Sequence, residues 1–150
     1  MAKLNDIDVD EYLAQCTQVE PLALQEEFVR WSGDYAYWNE KLAKASRLHA
    51  SCKLEREKIY SRLTLEARAM AGTSKTTVAE IEAKVMADPA YQTAREAETD
   101  AEVETERISG VLQALRGKKD MLVQLGYHQR AEMAGDPTLR EYMRDQTRGG

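Results

Sequence analysis

Apolar and aromatic positions in the first half of the chain recur at steps that are mostly four and three. Leu24, Phe28, Trp31, Tyr35, Trp38, Leu42, Ala45, His49, Cys52, Ile59, Leu63 and Met70 make up this series. The spacing is that of one helical face, and it predicts a helix over residues 22–70. Gly33 weakens the early part by ~1 kcal/mol relative to Ala. Arg56 puts a charge where the repeat requires an apolar residue. The series therefore reads as a long helix rather than a regular coiled coil.

The segment Ala71 to Thr76 breaks the pattern. Gly72 can end the first helix, and Thr77 with Glu80 has the spacing of a capping box for the next. Val78, Ile81 and Val85 then outline a short amphipathic helix over 77–87. Asp88-Pro89 interrupts it, with Asp88 as N-cap and Pro89 at the first helical position. A second long helix follows over 89–134. Its second half carries Ile108, Val111, Leu112, Leu115, Leu122 and Leu125, and Gly135-Asp136-Pro137 stops it. Residues 1–21 read as an acidic lead or short helix stopped before Pro21. Residues 136–150 read as a basic tail, disordered at its end.

These elements predict an all-α fold in a single domain of 150 residues. Two long helices lie in an antiparallel, hairpin-like arrangement with a short middle helix between them. Large apolar residues are few, with one Phe and two Trp, while 31% of residues are charged against a usual ~25%. Long exposed helices that bury surface against partners suit this balance. The expectation is a homo-oligomer, with a ring as one arrangement. Trp31, Tyr35, Trp38 and Leu42 of the first helix, with Ile108, Leu112, Leu115 and Leu122 of the second, are the candidate interface residues.

Charge changes the picture. The chain has a net charge of −5, yet residues 41–68 hold eight basic residues against Glu55, Glu57 and Glu66, a local balance of +5. Residues 80–106 hold nine acids against Lys84 and Arg95, a balance of −7. A positive island on an acidic protein points to a polyanionic partner. Lys53, Arg56 and Arg62 fall at spacings that can form one stripe, flanked by Lys58 and Arg68. Tyr60 lies within it, where it could stack on an unpaired base. The plainer reading is that the basic and acidic runs pair with each other or with local neighbours.

Catalytic signals are absent from the sequence. It has no glycine-rich phosphate loop, nucleophile elbow or paired zinc motif. His49 and Cys52 share a helical face but supply two ligands where a structural zinc site takes four. The expectation is a non-enzyme without cofactor or metal. No run reaches the ~20 apolar residues of a membrane span, and Met1 to Glu11 lacks the apolar core of a secretory signal. Two cysteines at unrelated spacing fit free thiols and a cytoplasmic location.

Three stretches carry a resemblance. They are Tyr35-Ala36-Tyr37-Trp38, then the basic run Lys53 to Arg68 closing at Gly72, then Ser109 to Leu115. The last of these is followed by Arg116, Lys118 and Lys119 and runs into Arg130 to Gly135. In order and spacing the chain resembles the recombination mediator family of tailed phages, the UvsY type, over roughly residues 25–135. The resemblance implies a helical oligomer in the cytoplasm of a host cell. It would bind single-stranded DNA and help load a RecA-like recombinase onto strands coated with single-strand-binding protein. Lys58 and Arg62 match the family's DNA-contacting helix best. Of that helix's Lys-x-Arg pair only the arginine is kept, and the acidic 96–106 stretch and the tail after Gly135 depart from the pattern. The alternative is a helical scaffold or adaptor that binds only protein.

Overall fold

A computed structural model describes residues 9–20, 23–72, 75–135 and 137. The expected lead at 1–8 and the tail beyond 137 lie outside the described residues. Among the described residues four helices occur in order: α1 (Val9–Cys16), α2 (Leu24–Ala71), α3 (Val78–Ala87) and α4 (Pro89–Gly135). There is no strand among the described residues. The two long helices, of 48 and 47 residues, pack together.

Local chemistry places the helix ends. Gly72 follows the last residue of α2 with φ +53, the left-handed conformation that a glycine adopts without a Cβ penalty. Thr77 Oγ1 accepts from the Glu80 N–H at 3.3 Å, and the Glu80 carboxylate accepts from the Thr77 N–H at 2.9 Å, closing the capping box of α3. Asp88 serves two helices. Its N–H donates to the Val85 carbonyl at the end of α3, and its Oδ1 accepts from the Ala90 N–H at 2.8 Å at the start of α4. Such caps satisfy backbone groups that a helix terminus leaves open.

The chain divides into two compact units. One comprises residues 39–110 and the other residues 1–38 with 111–150. In the first, Ile81, Val85 and Tyr91 form a buried cluster, with Ile59, Tyr60, Leu63 and Ala67 of α2 packed against it. In the second, the core is Trp38, Val111, Leu112, Leu115 and Leu122, the last three 3% exposed or less. Tyr12 of α1 meets Trp38 ring to ring at 5.0 Å, and Cys16 is buried. Trp31 Nε1 donates to the Leu115 carbonyl at 2.7 Å. Lys118 Nζ lies 2.7 Å from the Glu27 carboxylate, and both side chains are buried. Within each unit α2 and α4 run in opposite directions: residue 27 meets 118 and residue 31 meets 115, while residue 56 meets 98 and residue 60 meets 91.

The residues expected at a subunit interface are used inside the chain. Trp38, Ile108, Leu112, Leu115 and Leu122 are buried within one copy, and Trp31, Tyr35 and Leu42 are partly buried. A single copy already has a partner for each long helix, so this apolar face is covered without a second subunit.

Leu122→Ala should cost about 2–5 kcal/mol, because it removes a fully buried side chain. Leu65→Ala, at a site 66% exposed, should change stability by less than about 0.5 kcal/mol. Urea denaturation followed by circular dichroism measures both, and equal losses at the two sites would contradict this packing.

Candidate nucleic-acid interface

Burial sorts the basic residues of α2 into two sets. Arg56 faces inward with its side chain 24% exposed, and its guanidinium makes a two-pronged pair with Glu98 of α4, itself 16% exposed. The Glu98 hydrogen bonds hold that guanidinium more firmly protonated than usual. Both residues lie in the buried four-three series of their helices: Cys52, Arg56 and Ile59 on α2, and Ala94, Glu98 and Ala101 on α4. The charge at position 56 is therefore matched across the seam.

Tyr60 also faces inward. Its ring lies 5.9 Å from that of Tyr91, and it packs on the Ile81–Val85 cluster. Two expected DNA contacts, Arg56 and Tyr60, thus belong to the packed face. The stripe drawn from spacing alone mixed two sides of the helix.

The remaining four, Lys53, Lys58, Arg62 and Arg68, are exposed. A different series organises the outer side. Arg47, Ser51, Leu54, Lys58, Ser61, Leu65 and Arg68 alternate in steps of four and three, and every one is exposed. At 1.5 Å per residue this face is about 30 Å long. It carries no acid. At ~100° per residue, Glu55 and Glu66 fall on one flank, roughly 90–110° from the midline, and Glu57 on the other at roughly 70°; Arg62 lies roughly 70° from the midline on the Glu55 side. Lys58 Nζ reaches Glu55 at 3.7 Å and Arg62 reaches Glu66 at 3.8 Å. Exposed pairs of this kind contribute only ~0.3–0.5 kcal/mol each, so an incoming phosphate can replace them.

The acidic half of α4 shows the same inside–outside sorting. Glu98 turns in, while Glu96, Asp100, Glu102, Glu104 and Glu106 are exposed. Across α2 and α4 the inward Arg56–Glu98 pair joins the two charged runs. Lys44, Lys58, Arg62 and Arg107 form ion pairs with acids three or four residues away on their own helix.

Sequence reasoning missed two further groups. Tyr127 is 67% exposed, with the Arg130 guanidinium 5.8 Å from its ring centre. It interrupts the apolar run of α4 as a surface aromatic. The buried Lys118–Glu27 pair was also missed, because its members stand far apart in sequence. Beside it, burial pushes the Cys16 thiol up, and burial together with Asp34 does the same for the Tyr12 hydroxyl. Among the described residues no three His, Cys, Asp or Glu side chains gather as a metal site, and no helix is long and apolar enough to cross a membrane.

Comparison with known protein families, with curated proteins and with solved structures gives no match.

Arg56→Ala and Glu98→Ala should each lower stability by about 1.5–3 kcal/mol, the range for a hydrogen bond to a charged group. The double variant should lose less than the sum of the two. Lys58→Ala should change stability by under about 0.5 kcal/mol. Denaturation of the wild type, the two single variants and the double makes the cycle, with Lys58→Ala as the control, and additive losses at 56 and 98 would show that the pair is not coupled.

Proposed function

We propose that the chain binds single-stranded nucleic acid along the outer face of α2 and acts as a recombination mediator of the type its sequence resembles. The reading is carried by the outer face of α2, where Arg47, Lys58 and Arg68 stand exposed along the acid-free series and Arg62 stands exposed at its edge, on an otherwise acidic protein. A row of cations along a rigid helix follows a phosphate backbone and releases its counterions. With Tyr60 inside the fold, base stacking at that position is not part of the interaction. Binding rests on phosphates and is indifferent to sequence.

In this reading the protein has no catalytic step. It holds a strand while single-strand-binding protein leaves and a RecA-like recombinase takes its place. Cytoplasmic location and self-association belong to the same proposal.

A labelled oligonucleotide titrated at several salt concentrations tests it by fluorescence anisotropy. Four engaged cations predict a slope of log K against log salt of about −3. Lys58→Ala combined with Arg62→Ala should weaken binding and make the slope shallower by about 1.4. Arg56→Ala at a temperature where it stays folded should leave the slope unchanged. Absence of binding at low salt by the folded protein, or a slope untouched by the double variant, would overturn the assignment.

A further inference from the structure

A row of cations meets phosphates and leaves bases unread. Paired and unpaired strands both present phosphates, so the outer face of α2 does not by itself favour a single strand. Such a preference needs a group that touches an unpaired base, most simply an open aromatic ring. Tyr60 is packed inside the fold and cannot supply it. Among the described residues Tyr127 alone of the aromatic side chains is exposed, at 67%, while the others are buried or half-buried.

The surroundings of Tyr127 on α4 are sorted by helical geometry. At ~100° per residue, Gln124, His128 and Ala131 fall to one side of it, and Arg130 falls ~60° to the other. The surface follows that division. Gln124, Tyr127, His128 and Ala131 line a shallow, open depression. The Arg130 guanidinium, which is not part of that lining, stands 5.8 Å from the ring centre. Ala131, one turn on from Tyr127, contributes only a methyl group and keeps the depression open. Residues 121–131 hold no acid, and Asp120 is engaged by Lys119 at 3.3 Å.

We propose that Tyr127 is a stacking site for one base of an unpaired nucleic-acid strand. The base lies in the depression against the tyrosine ring. Gln124 and His128 stand at its edge, where each can donate or accept a hydrogen bond. Arg130 holds the ring from the other side by its cation and meets the neighbouring phosphate. Every base has a π-face, so the site takes any sequence. A duplex keeps its bases stacked on one another and offers none. The site lies wholly in the unit of residues 1–38 with 111–150. The inference rests on the nucleic-acid reading and adds to it the selection of unpaired strands.

Fluorescence anisotropy of the full chain with two labelled strands of equal length tests it. One strand is built of thymidine nucleotides and the other of abasic sites, so they share their phosphates and differ in bases. The wild type should bind the base-bearing strand about tenfold more tightly at one salt concentration. Tyr127→Ala should bind both strands alike, at the abasic affinity, and keep the salt slope of the wild type. Tyr127→Trp should restore the preference. The position is exposed, and circular dichroism checks that both variants fold. Equal binding of the two strands by the wild type, a preference that survives in Tyr127→Ala, or a Tyr127→Trp variant that behaves like Tyr127→Ala would overturn the stacking site and leave the proposed function standing. Binding of neither strand by the folded wild type at low salt would overturn both.

Discussion

Two helices of nearly fifty residues with few large apolar side chains are not stable on their own, and the contact between α2 and α4 is what the fold depends on. Each long helix buries a four-three series of positions, and the series is economical: alanines, a threonine and a charged pair lie among the aromatics and leucines. The Arg56–Glu98 pair has consequences beyond its own bonds. Among the neighbouring inward positions of α4, Tyr91, Ala94, Ala101 and Thr105 carry no charge. Sliding one helix by a heptad would leave both Arg56 and Glu98 half-buried without a counter-charge, at a cost of several kcal/mol. The pair therefore selects one register out of several that small side chains alone would permit. Lys118 with Glu27 makes a second inward match of the same kind in the other unit.

Once the inner faces are occupied, the remaining surface is defined. The cations at Arg47, Lys58, Arg62 and Arg68 are held on the outer side of a helix whose inner side is fixed. The ion pairs of Lys58 and Arg62 with neighbouring acids are weak enough to exchange. The same logic places the surplus carboxylates of 96–106 outside α4. Segregated charge on two outward faces gives the protein a basic surface for a polyanion and an acidic one complementary to it. The proposed function rests on the basic one.

The helix boundaries were legible in the sequence because caps are local chemistry. Gly72, the Thr77–Glu80 box, Asp88-Pro89 and Gly135 mark the ends to within two residues of where they fall. The inward face of α2 was legible too, from Leu24 through Leu63. What misled was treating Arg56 as a defect in the repeat and as a member of the basic stripe. It falls on the four-three alternation, and Glu98 falls on the equivalent alternation of α4, so the arithmetic that located the apolar seam contained both. Tyr60 illustrates a different limit. It sits one residue from Ile59 at the seam's edge, and whether it packs or projects depends on Tyr91, thirty-one positions away. The aromatic and leucine positions were recognised as buried. Core and subunit interface both stay open for them in the sequence, because helical periodicity does not say which surface covers a face.

Lysine footprinting by limited acetylation and mass spectrometry tests the division between an inner seam and an outer face most directly. On this account Lys53 and Lys58 of the folded protein are modified at the earliest times, while Lys118, with its side chain 5% exposed, is modified only under unfolding conditions. Acetylation of Lys118 at the rate of Lys58 in the folded protein would contradict it.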